Sequence, residues 1–118
     1  MNILLAEDER NFGLVLKREL EEEHYEVDLV PNGVEAVLRF IRHPYDFVLL
    51  DLRMPRLSGI DALKIIKTIH PEVPAITFSG GAESNEKEAS LRFGAIRCLT
   101  KPFEIAELKM NIKASISR

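Results

Sequence analysis

Five short apolar runs punctuate the chain: Ile3 to Ala6, Val27 to Val30, Phe47 to Leu50, Ala75 to Phe78 and Ile96 to Leu99. Each has the length of a strand rather than of a helix. Between them the apolar residues recur at helical spacing. Phe12, Val15, Leu16 and Leu20 share one face, Val34, Val37, Leu38 and Ile41 a second, and Ile60, Leu63 and Ile66 a third. Start and stop signals agree with these elements. Asn32 and Gly33 precede the second helix, Ser58 stands where the third needs a capping oxygen, and Pro71 and Pro74 end it. A fifth helix opens after Pro102 with Glu104 and Glu107 in its first turn. It is expected to turn Ile105, Leu108, Ile112 and Ile116 inward and to close near Lys113 and Arg118, a charge order that suits the helix dipole. The fourth helix, Glu83 to Phe93, is the weakest. Glu86, Lys87, Glu88 and Arg92 leave only Ala89, Leu91 and Phe93 as apolar contributors, and a lightly buried helix can move.

Strand and helix therefore alternate, and the third run is continuously apolar, as a strand covered on both faces of a parallel sheet must be. The expected class is α/β, a three-layer αβα sandwich with a five-stranded parallel sheet and five helices. With 118 residues, 46% of them apolar, the chain can fill one core and hardly a second, so one domain over 1–118 is expected. No repeat, low-complexity tract or linker interrupts the pattern, and no stretch is left for a separate output domain. Acids and bases are interspersed and the net charge is only −3, which calls for neither nucleic acid nor a membrane surface. The first residues run straight into the first strand without a basic segment and long apolar stretch, so a cytoplasmic protein is expected. Cys98 is the single cysteine, and the three histidines lack the paired spacing of a zinc site.

In an open parallel sheet the ligand site lies beyond the carboxyl ends of the strands. Four of the five positions there are polar and reactive: Glu7 and Asp8 after the first run, Asp51 after the third, Ser79 after the fourth, and Thr100 and Lys101 after the fifth. Three converging carboxylates repel one another unless a cation neutralises them. An all-oxygen set of Glu7, Asp8 and Asp51 suits magnesium better than any nitrogen or sulfur set this chain can assemble. A carboxylate at Asp51 can attack phosphorus to give an acyl phosphate if the incoming oxygens are balanced by metal and by cationic side chains. Lys101 supplies positive charge, and Ser79, followed by Gly80 and Gly81, supplies a hydroxyl in an uncrowded turn. Taken singly, each acid is explained as well by a solvated loop or helix cap, and Lys101-Pro102 or Ser79 by an ordinary turn. Only the ordered set is specific.

That ordered set resembles the receiver domain of two-component response regulators, from Asn2 to Ser117. The motifs are Ile3-Leu4-Leu5-Ala6-Glu7-Asp8-Glu9, Leu50-Asp51-Leu52-Arg53-Met54-Pro55 with Gly59, Ser79-Gly80, and Lys101-Pro102-Phe103. The resemblance implies a flavodoxin-like strand order of 2-1-3-4-5, and it implies Asp51 as phosphoacceptor. Magnesium would be held by Asp8, Asp51 and the backbone carbonyl of Arg53, with Glu7 acting mainly through water. Ser79 and Lys101 would contact the phosphoryl group, and the Lys101-Pro102 peptide would be cis. It further implies a sensor histidine kinase or phosphotransfer protein as donor, docking near Phe12 and Leu14. Phosphorylation would alter the surface of the fourth helix, fifth strand and fifth helix, which would then control an output domain or protein, with homodimerisation on phosphorylation. Transcription control is common in the family, but no DNA-reading element is present in this chain. One position departs from the pattern. Three residues before the lysine, where receivers commonly carry Tyr or Phe, this chain has Cys98, too small to sweep the same volume, so the expected alternatives to the usual aromatic readout are coupling through the fourth helix, with Phe78 or Phe93 repacking, or weak coupling.

Two other classes share some of these features. A metal-dependent phosphatase with an aspartyl nucleophile normally carries a second acid two residues on, where this chain has Arg53. A scaffold that kept the fold and lost the switch would not be expected to retain Asp51, Lys101 and the acidic pair.

Overall fold

The computed structural model describes residues 1–81 and 84–116. The elements alternate as expected: β1 (Asn2–Ala6), α1 (Arg10–Glu21), β2 (Glu26–Val30), α2 (Gly33–Arg42), β3 (Phe47–Asp51), α3 (Gly59–Ile69), β4 (Ala75–Ser79), α4 (Ser84–Arg92), β5 (Arg97–Thr100) and α5 (Ile105–Ile116). The strands form one parallel sheet in the order β2-β1-β3-β4-β5. The expected helix start at Glu83, and Ser117 and Arg118 at the other end, lie outside the described residues.

The period-two alternation of the strands divides the interior in two. Leu4, Ala6, Val48, Leu50 and Ala75 point to one side, where Ala36 and Phe40 of α2 and Leu63 and Ile66 of α3 cover them. Ile3, Leu5, Phe47, Leu49, Ile76, Phe78 and Leu99 point to the other, under Leu16 and Leu20 of α1 and Leu108 and Ile112 of α5. Phe47 to Leu50 of β3 are fully buried, as their uninterrupted apolar run requires, and Asp51 at the end of the strand is buried with them.

The caps at Asn32 and Ser58 form as read, each side-chain oxygen accepting from the backbone three residues on, at Glu35 (2.9 Å) and Asp61 (3.2 Å). The inward face of α2 does not. Gly33, Ala36 and Phe40 are its buried residues, while Leu38 is 39% and Ile41 61% exposed. Two apolar stripes run side by side on this helix, and the one containing glycine and alanine is inward because it lets the backbone come close: a Cβ on Gly33 would stand 2.1 Å from the Leu57 carbonyl oxygen. Val15 in α1 and Ile116 in α5 likewise lie outward, at 36% and 44% exposure. Among the described residues no helix is long and apolar enough to cross a membrane.

Candidate functional site

The carboxyl ends of β1, β3, β4 and β5 meet at one rim of the sheet, and the residues just beyond them are those the strand-end reading selected. Glu7 and Asp51 are buried, and Asp8 is exposed beside them. One carboxylate oxygen from each of the three lies within 4.8 Å of the others. Backbone groups hold two of the carboxylates. The Glu9 amide donates to Glu7 Oε2 (3.2 Å), and the Arg53 amide donates to Asp51 Oδ1 (3.2 Å). Glu9 also caps α1, its carboxylate accepting from the amides of Asn11 and Phe12, which fixes the turn that carries Glu7 and Asp8.

Lys101 reaches across from the end of β5. Its Nζ donates to Glu7 Oε1 at 2.8 Å and to Asp51 Oδ2 at 3.1 Å. Its own amide donates to the Ser79 carbonyl (2.8 Å), tying the two loop starts together, and the Lys101-Pro102 peptide is cis. Ser79 is buried at the end of β4. Phe12 lies beneath the ammonium, 5.1 Å from ring centroid to Nζ, and packs edge-on against Phe103 at 5.7 Å; Phe103 in turn packs on Phe78 at 4.9 Å. Glu9, Phe12, Lys101, Pro102 and Phe103 line an open cavity of about 360 Å³ there.

The electrostatics follow from this crowding. Burial raises the Glu7 carboxyl to about 7, opposed by the Lys101 hydrogen bond and reinforced by the neighbouring Asp51. Burial alone would depress Lys101, but the hydrogen bond from its ammonium to Glu7 and the charge of Asp51 outweigh it and hold the amine above its ordinary value. The Lys101 ammonium faces a cluster of three carboxylates, so the cleft can accept further positive charge. The donors of that cluster are all hard oxygens, which matches the preference of a divalent ion such as magnesium.

The site thus brings together Glu7, Asp8, Asp51, Ser79 and Lys101, with the Arg53 backbone on the same rim. The response regulator receiver domain profile matches residues 3–113. This chain belongs to that family. Over 116 residues it is 34% identical to the response regulator ArlR of Staphylococcus saprophyticus, covering 98% of this chain and 52% of that protein. It therefore spans about half the length of the curated relatives it matches. Among solved structures it superposes on a receiver domain of a Francisella response regulator with a TM-score of 0.87 and 30% identity, covering 99% and 98% of the two chains. It superposes on the receiver domain of the sensor histidine kinase PA1611 of Pseudomonas aeruginosa with a TM-score of 0.90 and 34% identity, over 99% and 98%. That structure holds a magnesium ion coordinated in its active site cleft. As a response-regulator receiver, this domain serves phosphorylation-dependent signalling, and its fold is flavodoxin-like.

Three features of the receiver site carry no signal in spacing. Glu9 reads as one more acid yet supplies the α1 cap. Phe12 and Phe103 lie far apart in sequence yet form the aromatic floor under Lys101. The Arg53 side chain pairs with Glu86, through Nε at 3.1 Å and Nη2 at 3.0 Å to the same oxygen. Cys98 is buried on the side of the sheet opposite Phe78. Its register partner is Thr77, whereas Phe78 belongs with α1 and α5, so Phe78 is poorly placed to stand in for an aromatic at 98.

Proposed function

We propose that residues 1–118 act as one receiver domain in which Asp51 accepts a phosphoryl group from a phosphorylated histidine of a partner kinase or phosphotransfer protein. A carboxylate oxygen of Asp51 attacks phosphorus as the nitrogen–phosphorus bond of the donor breaks; the imidazole keeps the electron pair and takes a proton from solvent. The observation that carries this reading is the placement of the Lys101 ammonium 3.1 Å from Asp51 Oδ2, within a cluster of three carboxylates. Lys101 neutralises charge on the incoming oxygens, and the Ser79 hydroxyl donates to one of them. Magnesium would be held by Asp8, Asp51 and the Arg53 carbonyl, with Glu7 supporting it; when bound it supplies the remaining positive charge. The oxygen-only donors, one carboxylate oxygen from each of Glu7, Asp8 and Asp51 within 4.8 Å of the others, support that assignment.

The domain catalyses only its own phosphorylation and dephosphorylation, and the change at Asp51 alters the α4, β5 and α5 surface. That surface controls an output domain or separate protein, through homodimerisation or direct docking. The domain itself binds neither membrane nor nucleic acid. A cytoplasmic setting is part of this reading.

Intact-mass spectrometry after incubation with acetyl phosphate tests the core of this reading. A single phosphoryl adduct is expected that requires magnesium and is absent from Asp51→Asn. An adduct that persists in Asp51→Asn, or none in the wild type with magnesium, would overturn it.

A further inference from the structure

The sequence of α4, with Glu86, Lys87, Glu88 and Arg92 in nine residues, leaves it little apolar surface to bury. Leu91 is 42% exposed, Phe93 just beyond the helix is 38% exposed, and among the described side chains of the helix the buried one is a serine, Ser90. Polar bonds do the holding instead. The Ser90 hydroxyl donates to the Lys87 carbonyl (3.0 Å), so the 2.9 Å bond between Ser90 Oγ and Thr77 Oγ1 is donated by Thr77, from inside the sheet. Nearer the start of the helix, Glu86 accepts from Nε and Nη2 of Arg53.

Arg53 is two residues from Asp51, and its amide already donates to the Asp51 carboxylate. Its guanidinium therefore lies within a side-chain swing of any group attached to Asp51, and a planar guanidinium binds a phosphoryl dianion bidentately, in preference to one carboxylate oxygen. Resting on the reading of Asp51 as phosphoacceptor, we propose that Arg53 is the phosphoryl sensor of this domain: Glu86 holds its guanidinium in the resting state, and phosphorylated Asp51 takes it away, releasing α4. The exchange is between two anions for one cation, so it needs no large apolar rearrangement. It supplies the coupling that an aromatic at position 98 would otherwise give, through the helix that packs beside Thr77 and its register partner Cys98.

A partly exposed ion pair biases an equilibrium only modestly, which sets the expected size of the effect. The test combines intact-mass measurement of phosphorylation with hydrogen exchange of the α4 amides. It compares the wild type with Glu86→Gln and with the reversed pair, Arg53→Glu combined with Glu86→Arg, before and after acetyl phosphate and magnesium. In the resting wild type α4 is protected, and phosphorylation speeds its exchange. Glu86→Gln is expected to exchange about two- to five-fold faster at rest, with little further change on phosphorylation. The reversed pair restores protection at rest, but the carboxylate it puts at position 53 repels the phosphoryl group, so α4 stays protected when Asp51 is modified. That last result separates a sensor from a mere brace. Resting α4 exchange in Glu86→Gln equal to the wild type, or full release of α4 in the phosphorylated reversed pair, overturns the sensor while leaving Asp51 as phosphoacceptor. Failure of the wild type to take a phosphoryl group overturns the phosphoacceptor reading and the sensor with it.

Discussion

Tyr45 shows how one side chain can serve both the core and a surface charge. Its ring stacks on Phe40 with centroids 6.3 Å apart, inside the layer under α2, and its hydroxyl donates to Asp28 Oδ2, which also faces the Arg39 guanidinium at 3.7 Å. Burial of the phenol, with the Asp28 charge beside it, raises its pKa from 10.0 to about 12. The sign of the consequence follows from proton binding. Between pH 10 and 12 the unfolded chain gives up the phenolic proton while the folded one keeps it, so stability falls as pH rises through that window and is unaffected below it. Urea titrations at pH 8 and pH 11 should show this decline in the wild type, with the Tyr45 part of it absent from Tyr45→Phe. At neutral pH the same substitution is expected to cost about 0.5–1.5 kcal/mol for the lost hydrogen bond. Equal declines in both proteins would mean that Tyr45 does not govern alkaline sensitivity.

Among the elements, the loop from β3 to α3 is the most constrained, because it carries both Asp51 and Arg53. A Cβ on Gly59 would stand 2.2 Å from the Asp51 carbonyl oxygen and 2.6 Å from the Leu52 Cα, both backbone atoms with no rotamer to swing away. The Gly59 amide donates to the Leu52 carbonyl (3.0 Å), and Gly33 at the start of α2 closes on Leu57 from the other side. Gly59→Ala should therefore push α3 off the end of β3, at about 1–3 kcal/mol by analogy with overpacked cores. It should also slow formation of the Asp51 adduct, followed by intact mass; an unchanged rate and an unchanged urea midpoint would show that the loop yields freely. The inner strands β1, β3 and β4 were legible in the sequence because a parallel strand buried on both faces reads as a nearly unbroken apolar run, while the edge strands β2 and β5 kept a shorter run beside exposed Asp28 and Arg97. The strand-end residues were legible because a parallel sheet gathers them at one rim. The inward face of α2 was not, since Gly33 and Ala36 add no hydrophobic signal and the larger Leu38 and Ile41 dominate the periodicity. Nor were Glu86, Thr77 and Ser90 legible as partners, because a polar residue announces its type and not which element it will meet.

For the whole molecule, the two interiors on either side of the sheet are joined through the strands, and the helices are unequally held. α1 and α5 share their core with an ionic layer in which Lys109 meets Glu19 (3.0 Å) and Glu23 (3.5 Å), and Lys113 meets Glu23 (2.9 Å). α2 and α3 each bury at least two residues against the sheet, whereas α4, among the described residues, is tied down by polar contacts that include the Thr77–Ser90 bond and the Arg53–Glu86 pair. A domain built this way should open in parts, with α4 separating at lower free energy than the sheet. Leu49→Ala in the middle of β3 tests it, since that truncation is expected to cost about 2–5 kcal/mol of global stability. Amides of β1 and β3, expected from their burial to exchange through global unfolding, should speed up in proportion, while those of α4 should keep their wild-type rates because their opening leaves the sheet intact. Acceleration of α4 by the same factor would mean that the helix opens only with the whole molecule. A signal at Asp51 could then reach the α4 surface only by loosening the sheet, whereas independent opening lets a single ionic exchange redirect α4 while the rest of the fold stays in place.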